Sequence, residues 1–305
     1  MPDPGRYFVA LALSLIPAVL TGQGATAAPQ VAWWPRLPLQ GSLVRVVVGP
    51  QAGGDVTAVY GELAGEPLHF ERFADGFGAI GAVPFSAQDS AAARVVLEHA
   101  DSTSDTVIVA LPVVRRRVPR ERLRVSPEFA EPPDSLTERI RLEQELVQGV
   151  RQRAHDTPRL WRIPFVRPRA SAVTSVFGVA RVFNKVLRSR HWGVDFVGQI
   201  GAPVRAANRG VVALVADLYY SGTTILIDHG AGLVTGYFHL SRVLVVPGDT
   251  VEVGQLIGRV GSSGRVTRSH LHWFAAYGGI TVDPLDLVRP NGPMRLTPAP
   301  PPPPP

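Results

Sequence analysis

The sequence contains no cysteine among its 305 residues. Disulfide bonds and metal sites built from thiolates are therefore excluded, and any metal ion must be held by histidine, aspartate or glutamate. The absence of cysteine suits an oxidising compartment. It also excludes lipid attachment at an N-terminal cysteine.

Lysine is almost absent as well, since Lys185 is the single lysine and arginine supplies the rest of the positive side chains. The formal net charge is +6 and the sequence pI is about 10.2. Two explanations stay open: the arginine bias of a GC-rich genome, or attraction to an anionic partner such as cell-wall polymer or a membrane surface. Motifs of the helix-turn-helix, zinc-finger and RNP types are missing, so no nucleic-acid partner is expected.

Long apolar runs are missing beyond the first thirty residues. There, one arginine precedes an apolar run over residues 8–20, and the small-residue segment GATAAPQ follows it. This order predicts a secretory signal peptide over residues 1–28, because the run is shorter than the roughly 20 residues of a membrane span. An uncleaved anchor is the alternative. We therefore expect a periplasmic or extracellular protein of the cell envelope with no stable membrane span.

The first half of the chain has the pattern of short strands. Segments such as SLVRVVV and DTVIVALPVV either alternate polar and apolar residues or are continuously apolar. Clusters of glycine, aspartate and serine separate them. This pattern predicts a β-sandwich-like N-terminal domain over residues 31–114. Its two histidines, His69 and His99, stand alone in the sequence, and we assign them no chemistry.

A basic linker and a helix are predicted over residues 115–162. The arginine-rich run RRRVPRERLRV is interpreted as a solvated connection. After it, Ser135 and Glu138 have the spacing of a capping box, and the apolar spacing that follows predicts a helix from Ser135 to Arg153.

Strand patterns return over residues 163–290, with many glycines and almost no helical period. The proline-rich tail over residues 291–305 is expected to be extended and disordered. The predicted fold class is therefore mostly β, with a sandwich-like N-terminal domain, a linking helix and a second β domain.

Three segments of this second domain place histidines in strand-like apolar runs: RHWGVDF, GYFHL and SHLHWF. Successive side chains of a strand point to opposite faces. In the first segment His191 and Asp195 should therefore share a polar face, with Gly193 leaving space between them and Trp192 on the opposite face in the core.

The other two segments repeat this arrangement. Alternation groups Tyr237 with His239, and His270 with His272, with bulky apolar residues behind each pair. If the strands lie in one sheet, the polar faces converge on a single concave surface.

Each cluster also has a purely structural explanation. His191 and Asp195 could form a surface ion pair worth under about 1 kcal/mol, His239 could be hydrogen-bonded in a core, and His270 and His272 could lie on a solvated strand face. Together, four histidines and one aspartate favour zinc, because a catalytic zinc takes three nitrogen or oxygen ligands and leaves a position for water. The spacing leaves open which histidines bind the metal and which act beside it.

The segments HWGVDF, GYFHLS and SHLHWF resemble the His-x-x-x-Asp, Tyr-x-His-Leu and His-x-His motifs of the lysostaphin/LytM-type zinc endopeptidases, the M23 peptidases of bacterial cell walls. The resemblance covers residues 168–287 and implies an antiparallel β-sheet groove with zinc (Zn2+) at its floor. By this resemblance His191, Asp195 and His272 bind the metal. His239 and His270 correspond to the two catalytic histidines.

The sequence departs from the family pattern at two places. Arg268 and Ser269 stand where Gly-Pro is frequent, and Phe274 stands where an acidic residue is usual. None of the three corresponds to a zinc ligand, so changes in the groove wall are expected.

The resemblance predicts an exported zinc endopeptidase that hydrolyses peptide bonds in peptidoglycan stems or cross-bridges. The alternative is a non-catalytic LytM-type module that regulates or activates a cell-wall hydrolase as its partner. Because all three ligands and both accessory histidines are present, the sequence favours the enzyme.

Overall fold

The computed structural model describes residues 31–49, 56–73, 76–185, 187–290 and 292–294. The predicted signal peptide and nearly all of the proline-rich tail lie outside these residues. Within them, no helix is long and apolar enough to cross a membrane.

Two antiparallel sheets form a β-sandwich-like unit at the N-terminal end of the described chain, and the predicted fold class is confirmed here. Its strands are β1 (Val31–Trp34), β2 (Leu43–Val48), β3 (Val56–Leu63), β4 (Glu66–Pro67), β5 (Glu71–Phe73), β6 (Gly76–Ala82), β7 (Ser90–His99) and β8 (Ser104–Pro112). The first sheet has the order β1-β2-β6-β5 and the second β4-β3-β7-β8. β7 shows why they pack: its alternate residues from Ala91 to Leu97 are buried, which gives one apolar face.

The rest of the described chain contains two helices and the remaining strands. They are β9 (Arg120–Leu123), α1 (Pro127–Ala130), α2 (Thr137–Arg153), β10 (Val173–Ser175), β11 (Ala180–Phe183), β12 (Leu187–Arg190), β13 (Val194–Val197), β14 (Pro203–Arg205), β15 (Gly210–Leu218), β16 (Gly222–Gly230), β17 (Leu233–Phe238), β18 (Leu240–Val243), β19 (Thr250–Val251), β20 (Leu256–Val260), β21 (His270–Tyr277) and β22 (Ile280–Val282).

The arginine-rich segment is more than a solvated connection, and that interpretation was wrong. β9 pairs in parallel with β11, and β12 completes a three-stranded sheet of order β12-β11-β9. Pairing satisfies the backbone hydrogen bonds of the segment and fixes its position against the second β unit.

The helix predicted after the linker is present, but the capping box is not. A 3-10 turn, Asp134–Leu136, precedes α2, so that Leu136 occupies the N-cap position without a side-chain cap. Glu138 instead pairs with Arg141 one turn later. Ser135 lies inside the 3-10 turn, one residue too early to cap the helix that follows.

A large antiparallel sheet positions the three histidine segments. Its order is β10-β13-β21-β17-β16-β15-β19, and β22 also pairs with β21. β21 lies between β13 and β17, and its Leu271, Trp273 and Ala275 are fully buried. A smaller sheet has the order β14-β20-β18.

The two β units are joined by polar contacts as well as by a shared core. The backbone N–H of Leu43 donates to Asp286 Oδ2 over 2.9 Å, and Arg116 Nη1 donates to Asp283 Oδ2 over 2.9 Å. Leu43 and Ala82 of the sandwich also belong to the main core of the second unit. The interface is therefore an extension of the core.

His69 is not isolated, although it stands alone in the sequence. Its Nε2 lies 2.8 Å from Nδ1 of His155, whose Nε2 lies 3.0 Å from Glu66 Oε2. Glu66 Oε1 in turn accepts a hydrogen bond of 2.8 Å from the N–H of Gly279 in the second unit. This chain of polar groups connects the sandwich to α2 and to the β21–β22 turn.

His229 is fully buried in β16 and held neutral by its surroundings. Its Nδ1 lies 2.7 Å from the carbonyl oxygen of Arg209, so Nδ1 carries the proton, and its Nε2 lies 2.8 Å from Thr235 Oγ1. Burial lowers the pKa of His229 to about 4.

We expect the buried His229 to make the protein less stable in acid. A histidine with a pKa near 4 in the folded state and about 6.5 in the unfolded state binds more protons when unfolded, so its contribution is present above pH 6.5 and is lost as the pH falls towards 4. The loss in the free energy of unfolding that His229 causes is about 2 kcal/mol when the pH falls from 8 to 5. Urea unfolding at pH 8 and pH 5 should show a smaller acid loss in His229→Gln than in the wild type. Equal losses in both proteins would contradict the assignment.

Candidate metal centre

Three of the predicted site residues meet at one buried point. His191 Nε2 lies 2.9 Å from Asp195 Oδ1 and 3.0 Å from His272 Nδ1, and the last two atoms are 2.9 Å apart. Tetrahedral zinc with ligands at 2.0–2.1 Å separates its donor atoms by about 3.3 Å. Two imidazole nitrogens and a carboxylate oxygen in this triangle fit zinc with a small outward movement. They are also the one candidate metal-binding group found in the described chain.

Strand register brings Asp195 and His272 to the same face. They are direct partners in the antiparallel pair of β13 and β21, and directly opposed residues project to the same side of a sheet. Their neighbours Val194 and Trp273 are likewise paired and fully buried on the other side. The alternation expected for these two strands is therefore correct.

His191 reaches the site by a different route. It precedes β13, and backbone hydrogen bonds hold it: its N–H donates to Val179 O over 2.9 Å, and its carbonyl accepts from Gly178 N over 2.7 Å. The prediction that Trp192 is a core residue was wrong, because this side chain is 40% exposed and packs at 5.5 Å on Phe85 of the sandwich. The strand that would have buried it begins only at Val194.

Gly193 allows the close approach between these segments. A Cβ at this position would lie 2.5 Å from His272 Nε2 and 2.5 Å from the carbonyl oxygen of Trp273. The space that the sequence suggested beside Gly193 is therefore filled by the His272 ring, and the candidate metal position lies on the other edge of that ring.

A hydrogen bond outside the triangle sets the tautomer of His191. Its Nδ1 lies 2.9 Å from the carbonyl oxygen of Val176, which can only accept. Nδ1 therefore carries a proton, and Nε2, which faces Asp195 and His272, is the nitrogen that can bind a metal. A metal-binding histidine needs this orientation, and a carbonyl partner is a common way to fix it.

Three residues that sequence reasoning missed support Asp195 and His191 from outside the triangle. Arg181 Nη2 donates to Asp195 Oδ2 over 2.6 Å, and Arg181 Nε donates to Glu121 Oε2 over 3.1 Å. Ser175 Oγ donates to Glu121 Oε1 over 2.9 Å and lies 3.2 Å from His191 Nδ1. The brace Glu121–Arg181–Ser175 thus contacts two of the three candidate ligands from behind.

Neither residue of the ion pair carried a signal in the sequence. Glu121 lies in β9, within the run interpreted as a linker, and Arg181 is one of many arginines. Only the parallel pairing of β9 with β11, which sets Glu121 directly opposite Arg181, brings them together.

The local charges keep Asp195 ionised. Burial alone would raise the pKa of this carboxyl, but the charge and hydrogen bond of His191 and the hydrogen bonds of His270 and His272 hold it well below its ordinary value. Burial lowers the pKa of His272 to about 4 although Asp195 opposes the shift. An ionised carboxylate is the form of Asp195 that binds a divalent cation.

His239 and His270 line the groove beside the triangle. Their rings lie 5.0 Å apart, and the ring of His239 is 5.9 Å from that of His272. His239 Nδ1 lies 2.8 Å from the carbonyl oxygen of Ser263, so its Nε2 is left as an acceptor. His270 Nδ1 likewise faces the carbonyl of Arg268 at 2.8 Å, and its Nε2 is 3.4 Å from Asp195 Oδ1.

The two rings differ in their electrostatic surroundings. Burial drives the pKa of His239 well below its ordinary value, and the neighbouring His270 and His272 add to the shift. For His270 burial acts in the same direction, but hydrogen bonding to Asp195 and the charge of that carboxylate outweigh it and raise the pKa.

Tyr237 does not share a face with His239, and that expectation was wrong. Tyr237 pairs with Trp273 in the core, and its hydroxyl accepts a 2.8 Å hydrogen bond from the N–H of Ala207. Phe238 lies on the site face instead and stacks on His272 at 5.1 Å. His239 follows the end of β17 with a φ of 62°, and this reversal returns its ring to the groove.

The site lies at the floor of a groove with a volume of about 760 Å3. Its walls come from β9 and the β11–β12 hairpin on one side, from α2 on another and from the loop before β21. Phe274, the departure from the family pattern, lies in this wall and packs on Phe238 at 5.6 Å. Arg268, the other, also lines the groove and is exposed.

Comparison with known proteins agrees with this geometry. Residues 189–284 match the model of peptidase family M23. The peptidoglycan DD-endopeptidase ShyA of Vibrio cholerae is 40% identical over 104 residues, which cover 34% of this chain and 24% of that protein. The DD-carboxypeptidase/endopeptidase Mpg of Neisseria meningitidis is 38% identical over 101 residues, covering 33% of this chain and 23% of that protein. The chain thus matches only a quarter or less of the length of these relatives.

One solved structure resembles the larger part of the chain. A family M23 peptidase from Pseudomonas aeruginosa superimposes with a TM-score of 0.61, at 24% identity, over 81% of this chain and 93% of that one. This likeness supports the fold. The match to the family model confirms the resemblance of the three histidine segments, and residues 189–284 are therefore an M23 peptidase domain.

Proposed function

We propose that this protein is an exported zinc endopeptidase that hydrolyses peptide bonds of peptidoglycan stems or cross-bridges. The observation that carries the proposal is the convergence of His191, Asp195 and His272, with two further imidazoles beside them, on the floor of one open groove. The groove can admit an extended peptide. The named activities of the Vibrio and Neisseria relatives support a bond between two D-amino acids.

His191, Asp195 and His272 would hold the metal. Bound zinc would polarise the scissile carbonyl as a Lewis acid and lower the pKa of a water molecule to about 7. Arg181 holds the second oxygen of Asp195, so that Oδ1 stays directed at the other two donors.

The two remaining histidines are suited to the proton and charge transfers of hydrolysis. His239 presents a free Nε2 lone pair, fixed by its Nδ1 contact with Ser263, and can accept a proton from the attacking water. His270, whose Nδ1 faces a carbonyl, presents Nε2 towards Asp195 and the groove and can donate a hydrogen bond to the developing oxyanion.

The location follows from the substrate and from the N-terminal segment. Peptidoglycan lies outside the inner membrane, and the apolar run with its small-residue end has the order of an export signal. The β-sandwich unit, joined to the peptidase domain by a shared core, would fix how the groove meets the wall.

We predict that the purified protein binds one zinc ion per chain. Asp195→Ala should weaken zinc binding at least about 100-fold, because it removes both a ligand and the charge that balances the cation. Elemental analysis and competition with a chelating dye measure the stoichiometry and the dissociation constant. His239→Ala is the matched control and should retain zinc. Tight zinc binding by Asp195→Ala would contradict the ligand assignment.

We predict that His239→Ala and His270→Ala each lower the rate of cell-wall digestion by about 100- to 10,000-fold while zinc stays bound, as expected for groups that act in proton transfer and charge stabilisation. Mass spectrometry of the peptides released from purified sacculi measures the rate and identifies the bond. His99→Ala, remote in the sandwich, serves as the control. Unchanged digestion by both variants would remove the catalytic assignment. A wild type that digests nothing but stimulates a partner amidase would establish a regulatory module instead.

We predict that Glu121 acts on the metal through Arg181. Glu121→Gln should weaken zinc binding by about 10- to 100-fold, the usual effect of losing an outer-shell partner, and Glu121→Asp should restore part of the affinity. Arg120→Gln, exposed at the neighbouring position of β9, is the control. The prediction fails if Glu121→Gln leaves the zinc dissociation constant at the wild-type value.

A further inference from the structure

The loop over residues 261–269, between β20 and β21, is a fixed part of the groove. Its Ser263 carbonyl receives the hydrogen bond of His239 Nδ1, and Ser263 Oγ accepts from Thr223 N over 2.9 Å and donates to Leu240 O over 3.0 Å. Gly264 adopts a φ of 72°, and a side chain there would collide with the backbone of Gly222. The loop is thus held in place by the residue that orients His239.

Two residues after Ser263, this loop presents Arg265 to the groove. The N–H of Arg265 donates to Tyr220 O over 2.9 Å. Its guanidinium lies 4.3 Å from the ring centre of Tyr220 and 4.5 Å from that of Phe183. Both distances are typical of cation–π contacts, which do not use the N–H donors of the guanidinium as hydrogen bonds to an anion would.

Arg265 has no anionic partner among the residues that the structure describes. Its contacts are the two rings and the backbone hydrogen bond. Burial lowers its pKa, and the charge of Arg181 lowers it further.

Three other arginines of the groove have acceptors within the protein. Arg181 pairs with Glu121 and Asp195, and Arg141 pairs with Glu138 and Glu145. Arg190 donates to the carbonyl of Gly178 over 3.0 Å. Their donors are used within the protein, whereas those of Arg265 are available to substrate.

Resting on the proposed function, we propose that Arg265 binds a carboxylate of the peptide substrate close to the scissile bond. A guanidinium edge matches a carboxylate through two parallel N–H to O hydrogen bonds. Because Ser263 fixes His239 and Arg265 follows it by two residues, the carboxylate would bind on the same wall as His239. A peptide ending in D-Ala-D-Ala carries a carboxylate next to a bond between two D-amino acids and can serve as a binding probe.

Stacking alone does not account for this arrangement. An arginine with a purely structural role could stack on the same two rings and also donate hydrogen bonds to a carbonyl or carboxylate of the protein. A substrate carboxylate would add charge-assisted hydrogen bonds that stacking on the rings does not supply. This difference separates a binding residue from a structural one and can be measured.

The test compares two synthetic stem peptides ending in D-Ala-D-Ala, one with a free terminal carboxylate and one with a carboxamide. Methylation of the scissile amide nitrogen prevents turnover, so binding is measured on the zinc-loaded protein without any assumption about catalysis. Calorimetry gives the dissociation constants for the wild type, Arg265→Gln, Arg265→Lys and Arg268→Gln. Arg268 is the matched control, since it is exposed on the same loop and carries the same charge.

The wild type and Arg268→Gln should bind the carboxylate peptide at least tenfold more tightly than the carboxamide. Arg265→Gln should bind both equally, and Arg265→Lys should keep part of the preference because it retains the charge but not the paired donors. The proposal is overturned if the wild type has no preference, if it binds neither peptide, or if Arg265→Gln keeps the preference. It is equally overturned if Arg268→Gln loses as much. Cell-wall digestion by a wild type without this preference would leave the proposed function standing and remove only the role of Arg265.

Discussion

The crowding of three donor atoms about one buried point is the constraint on which this structure depends. His191 Nε2, Asp195 Oδ1 and His272 Nδ1 lie within 3.0 Å of one another. Two imidazole lone pairs and a carboxylate repel each other at this distance unless protons or a cation lie between them. The fold must therefore hold the triad rigidly, and a divalent cation is the partner that would stabilise it best.

Much of the surrounding chain supplies that rigidity. The β13–β21 register places Asp195 and His272, and backbone hydrogen bonds to residues 178 and 179 place His191. Behind them, Arg181 connects Asp195 to Glu121, a residue from outside the region that matches the M23 family. The linker thus contributes to the site, and the peptidase domain is not independent of the chain that precedes it.

In the groove wall, one residue likewise supports two parts of the structure. Ser263 orients His239 with its carbonyl and anchors the loop with its hydroxyl, so the position of this imidazole and the shape of the wall are set together. α2 and the β11–β12 hairpin form the other walls of the groove. The sandwich unit contacts the second unit through a shared core and through the hydrogen-bonded chain Glu66–His155–His69.

The sequence by itself determined the chemistry of the donors and the order of the segments that carry them. Without cysteine, only nitrogen and oxygen ligands remained, and the period of two correctly put His270 and His272 on one face of a strand. It could not determine where strands begin and end. His191 lies before its strand and His239 follows a reversal with positive φ, so strand alternation misplaced their neighbours Trp192 and Tyr237.

The tertiary structure alone decided which charged groups became partners. Glu121 and Arg181 are sixty positions apart and meet because two short strands pair in parallel. Within the described part of the chain, Arg265 contacts two aromatic rings from other segments and no carboxylate. Arginines that are equivalent in the sequence acquire different roles from contacts between distant segments, and no local pattern encodes such contacts.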